Sequence, residues 1–138
     1  MSITEAFETG ERRQDKGHFR NMVLIARADG VITDTEMVLL NKIGSSIGLS
    51  EVERKDIIKN PLDYPINPPA NREERFEQIV NLIQMAQADG KVQEEELEVL
   101  ERVAVGIGYD SIDDVDIESI LALIVRGEDT DVIIDELM

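Results

Sequence analysis

Four carboxylates stand out for their spacing. Asp29 and Glu36 return as Asp89 and Glu96 at a constant offset, each pair inside a copy of Ala-x-Ala-Asp-Gly-x-[Ile/Val]-x-x-x-Glu that begins at Ala26 and again at Ala86. Carboxylates at such positions are hard oxygen ligands, and the chemistry they suggest is capture of calcium or a similar divalent cation. An EF-hand loop would place Asp29 at its fifth position, Gly30 at its sixth, Ile32 at its eighth and Glu36 at its twelfth. Asp89, Gly90, Val92 and Glu96 take the same places in the second copy. The first and third ligand positions, however, hold Ile25 and Arg27, then Met85 and Gln87. Calcium takes about six to eight oxygens, so one such turn falls short and a standard EF-hand is rejected.

Two readings of the turn remain. In a purely structural one, glycine ends a helix, Ile32 or Val92 plugs the corner, Thr33 caps the next helix, Glu36 closes a capping box and Asp29 bonds local amides. In the other, both turns supply carboxylates to one shared cation site made of Asp29, Glu36, Asp89 and Glu96, with Asp34, Glu94 and Glu95 in reserve. Two carboxylates ~5 Å apart repel by about 3 kcal/mol at an effective dielectric of about 20, a cost that a bound divalent ion removes.

Little else in the chain offers chemistry. There is no cysteine, hence no thiolate site and no disulfide. His18 is the one histidine and is expected as a solvated helix residue, which leaves imidazole catalysis almost nothing to work with. Tyr64 and Tyr109 are expected to pack beside the prolines and a turn, Ser45 and Ser46 have no general base in helical reach, and the glycines are too dispersed for a phosphate loop. No catalytic constellation is found, and the chain reads as non-enzymatic.

The elements that position the carboxylates follow from periodicity. Phe19, Met22, Val23 and Ala26 mark one face of a helix over 11–28, ended by Asp29 and Gly30. Thr33 and Glu36 have capping-box spacing for a helix burying Met37, Leu40, Ile43 and Ile47, with Ile32 buried in the corner before it. Ser50 and Glu53 open a third, with Val52 and Ile57 inward. All four prolines then fall between 61 and 69, an extended connector. Asn71 and Glu74 start a fourth helix whose inner face is Phe76, Ile79, Val80, Ile83 and Ala86. A fifth spans about 93–107 and buries Leu97, Leu100, Val103 and Ile107; a sixth spans about 113–125. Short helices are expected at 2–10 and 130–137. No stretch alternates with period two, so the class is all-α. The predicted architecture is a single domain, 1–138: repeat 1 over about 11–59, a connector over 60–70, repeat 2 over about 71–126 and a C-terminal helix over about 129–138. Three short helices cannot bury their apolar faces alone, so the two repeats should share one core across an approximate twofold axis. Whether the two Asp-Gly turns are neighbours depends on where that axis passes.

With 42% apolar residues the chain can build such a core. Its net charge of -16 repels nucleic-acid phosphates and anionic lipids and attracts cations and basic partners. No signal peptide or bilayer-spanning run is visible, so a cytoplasmic protein without membrane insertion is expected.

The twin Ala-Asp-Gly-x-[Ile/Val]-x-x-x-Glu segments, each followed by an amphipathic helix that ends in Ile-Gly (Ile47-Gly48 and Ile107-Gly108), resemble the TerB-like family. This family includes tellurite-resistance TerB and the N-terminal part of a membrane-bound DnaJ-like co-chaperone. The resemblance covers about 19–125. It implies an all-helical pseudo-twofold module with an acidic, metal-associated face and a place in bacterial stress-response complexes. Partners would be proteins, basic or membrane-associated, with a homodimer also compatible, and no nucleic acid. Asp29, Glu36, Asp89 and Glu96 match the family's acidic positions; Arg27 and Lys91 depart from a clean cation site. The alternative is an interaction scaffold with no metal site.

Overall fold

The computed structural model describes residues 10–69 and 71–138, and the helix expected at 2–10 lies outside them except for Gly10. The described chain is all-helical. In order it runs α1 (Gly10–Ala26), α2 (Asp34–Ser46), α3 (Glu51–Lys59), a 3-10 turn (Pro61–Asp63), α4 (Arg72–Ala86), α5 (Glu94–Gly106), a second 3-10 turn (Ile112–Asp114), α6 (Ile117–Val125) and α7 (Thr130–Leu137). No strand is found among the described residues, and no helix among them is long and apolar enough to cross a membrane.

Local chemistry explains the boundaries. Thr33 caps α2 and Ser50 caps α3, each in a reciprocal box with the glutamate three residues on. Asn71 accepts the Glu74 amide at the start of α4. Asp116 and Asp129 do the same for α6 and α7. The sixth helix is therefore shorter than the expected 113–125: Asp116 caps it, and the residues before it form the 3-10 turn. The proline connector likewise contains a 3-10 turn where the sequence predicts an extended strap, because Pro61 stands at its first position.

α1 and α4 make the most extensive helix pair. Around α1 pack α2, α3, α5 and the first 3-10 turn; around α4 pack α2, α5, α6 and α7. This placement changes the expected burial. Met22, Val23, Ile25 and Ala26 of α1, and Ile79, Val80, Leu82, Ile83, Met85 and Ala86 of α4, are all buried, which is more than a single face. A helix surrounded on most sides must be apolar around most of its circumference. Phe19, Leu40, Ile57, Leu100 and Ile120 join the same cluster.

Several inward expectations are corrected. Val52 is 78% exposed and Leu97 is 36% exposed. Each lies in the first turn of its helix, where the cap fixes the phase and turns that position outward, while Ile57, Leu100 and Val103 carry the inner face. Ile32, Ile47 and Phe76 are half-buried against the core rather than enclosed in it, and Met37 is half-buried. His18, expected in solvent, is 5% exposed, because it lies on the α1 face that meets α4 and its Nε2 is 3.1 Å from Asn81 Nδ2.

Candidate functional site

Each acidic turn is built by a helix ending and another beginning. α1 ends at Ala26, and Gly30 takes φ 103°, a left-handed value that a side chain resists. Val31 N–H then donates to Asp29 Oδ1 at 3.4 Å. Thr33 Oγ1 accepts the Glu36 amide at 3.2 Å, and Glu36 Oε1 accepts the Thr33 amide at 2.8 Å. In the second turn Gly90 takes φ 95°, and Glu96 Oε1 accepts the Gln93 amide at 2.9 Å. Both glutamates are thereby folded back onto their own helix N-termini, where the amides and the helix dipole favour a negative charge.

The two turns are neighbours. The Thr33 hydroxyl donates across to Asp89, 3.0 Å from Oδ1 and 3.2 Å from Oδ2. Gln93 stands where a second threonine would be, and among the described residues it makes no matching bond to Asp29. The sequence predicts Thr33 as a cap alone. The departure Thr33/Gln93 between the copies was visible there, but its partner was not.

Electrostatics ties all four acids together. Glu36 and Glu96 are 1% and 4% exposed, whereas Asp29 and Asp89 are exposed. Burial pushes the Glu96 carboxyl up to about 7; the Gln93 amide opposes this, and the negative charges of Glu36, Asp29 and Asp89 reinforce it. Burial also raises Glu36, opposed by its bonds to Thr33 and reinforced by Asp89 and Asp29. Among the described residues no lysine or arginine forms an ion pair with any of the four. Arg27, expected to weaken a cation site, instead donates to Ile58 O at 3.3 Å.

What the four do not form is a closed ligand cage. Among the described residues no three carboxylate or imidazole side chains are gathered closely enough to hold a metal ion. A cation would have to draw in the two exposed aspartates and the glutamate oxygens that do not serve the caps. Asp34, Glu94 and Glu95 are exposed in the first turns of α2 and α5.

The other sequence candidates have structural surroundings. Tyr64 Oη donates to Asp56. Arg75 lies over the Tyr109 ring at 5.0 Å. His18 is held neutral, its pKa lowered to about 4 by burial. No family model, no curated protein and no solved structure matches this chain.

Proposed function

We propose that the protein is a non-enzymatic, TerB-like helical module. Its two three-helix repeats, related by an approximate twofold axis, form one domain that binds protein partners through an acidic turn face, with a hard divalent cation such as calcium as cofactor. The observation that carries this reading is the shared field of the two turns. Glu36 and Glu96 are both buried, both raised by burial and by the acids around them, and have no basic partner among the described residues. A divalent ion between the turns would relieve that repulsion and link metal to the native state.

The repeat arrangement is supported element by element. α2 spans Asp34–Ser46 and α5 spans Glu94–Gly106, while α1 and α4 both end on the alanine that opens the repeated segment. Gly48 and Gly108 have positive φ, as do Gly30 and Gly90. A stress-response role in the cytoplasm, tellurite resistance included, rests on the family resemblance alone.

A second reading is favoured by the caps. Thr33, Glu36 and Glu96 already have local bonds, and no three ligands converge. On that reading the turns are structure and the protein is a scaffold without metal. Thermal unfolding separates the two. On the first, calcium raises the melting temperature saturably, beyond the effect of sodium chloride at equal ionic strength, which only screens the -16 charge. On the second, the two salts act alike.

A further inference from the structure

The basic residues of this acidic chain are few, and some of them meet where the proline connector crosses the helices. Arg20 and Leu24 of α1, Leu62 and Ile66 of the connector, and Val99 and Arg102 of α5 line a cavity of about 330 Å³. Among the described residues no acidic side chain lines it. Acids outnumber bases 30 to 14 in this sequence, so a cavity whose only charges are two guanidinium groups runs against the composition. Neither arginine has an ion-pair partner among the described residues. Arg20 Nη1 donates to Asn21 Oδ1 at 2.8 Å, but its buried Nε has no hydrogen-bond partner. An anionic oxygen in the cavity would take charge-assisted hydrogen bonds from the guanidinium N–H groups that face it.

The apolar part of the wall is equally unfinished. Leu62 is 76% exposed, held out by the 3-10 turn of the connector. Leu24 and Leu62 also border an adjoining cavity whose charged lining is Arg27, Lys59 and Asp63. The volume lies in the range of small-molecule pockets, and an apolar wall with a few placed polar groups is their usual make-up. An arginine fork suits a carboxylate.

We infer that this cavity binds a small amphipathic carboxylate, its apolar body against Leu24, Leu62, Ile66 and Val99 and its charged end on Arg20 and Arg102. The site is independent of the acidic turns and makes the connector a wall of a binding pocket as well as a link between helices. The occupant is a free small molecule, because a volume of about 330 Å³ with an apolar wall and two charged groups matches a small-molecule site.

Octanoate is the probe, titrated into the full chain by calorimetry and by methyl NMR, with 1-octanol as the uncharged comparison. Octanoate should bind saturably and shift the Leu62 and Val99 methyls. The alcohol should bind at least about tenfold more weakly, the effect of losing a charge-assisted hydrogen bond. Arg102→Gln, at an exposed position where folding is safe, should weaken octanoate by a similar factor, and Arg20→Gln should do so where its melting curve shows it folded. Lys55→Gln removes an equal charge from an exposed pair with Glu51 on α3 and should change nothing. No saturable binding, equal affinity for the alcohol, or wild-type affinity in Arg102→Gln would overturn the inference. So would binding of an acidic, leucine-bearing peptide at these methyls in the absence of octanoate binding, which would assign the cavity to a protein partner.

Discussion

Replacing Glu96 with glutamine should stabilise the protein at high pH and leave it unchanged at low pH. In the folded chain the Glu96 carboxyl stands at about 7 against an ordinary 4.5, first because it is buried and then because Glu36, Asp29 and Asp89 surround it. Between those two values the folded state binds more protons than the unfolded state, so stability falls as pH rises through the window. The full rise corresponds to at most about 3.4 kcal/mol. The turns are open to solvent at Asp29 and Asp89, which screens the repulsion, and about half of that figure, ~1.7 kcal/mol, is expected. Glutamine keeps an oxygen to accept the Gln93 amide, so the cap survives the change. Urea unfolding with chelator present, at pH 5 and pH 8, gives both numbers directly. Asp15, raised to about 6, and His18, lowered to about 4, titrate with opposite signs below about pH 6.5, and the difference between wild type and Glu96→Gln above it reads Glu96 itself. If Glu96→Gln is less stable than wild type at pH 8, the glutamate is a favourable cap and not a strained charge, and the electrostatic reasoning fails.

Gly30→Val and Gly90→Val should each cost about 1–2 kcal/mol, read as a lower melting temperature, because the left-handed φ strains any side chain. Nothing lies within 4 Å of a Cβ built at either position, so a clash would not be the cause. Half-chains cut within 61–69 should show no sharp thermal transition as monomers, since α1 and α4 bury one another; a cooperative melt of either half would contradict the shared core. The folded His18 pKa lies below its unfolded value, so its contribution is present above about pH 6.5 and is lost as pH falls toward 4. His18→Gln should therefore show a smaller rise of melting temperature between pH 4 and 6.5 than wild type, and an identical rise would refute this.

The helical class and most helix ends were legible because they are local. Thr33 with Glu36, Ser50 with Glu53, and Asn71 are capping signals that act within one turn, and Gly30 and Gly90 hold the positive φ expected of a helix stop. Burial was legible only where periodicity decides it. Val52 and Leu97 fit an apolar pattern, but each cap sets a phase that turns them outward. His18 was misjudged for the opposite reason: its own helix does not reveal that α4 covers that face, with Asn81 supplying the partner. The four acidic positions could be named from spacing, yet their adjacency rests on Thr33 reaching Asp89, a contact between residues distant in sequence. The pocket around Arg20 and Arg102 was missed because α1, the connector and α5 each supply part of it.

The proposal that the paired turns share one cation is tested most directly by calorimetric titration of calcium into the metal-free protein. One saturable site per chain is expected, with most of the heat lost in Asp29→Asn and in Asp89→Asn alike. The double variant should lose little more, as for two ligands of one ion. Heats that never saturate, or single variants that titrate like wild type, would contradict the shared site and leave the turns as helix caps.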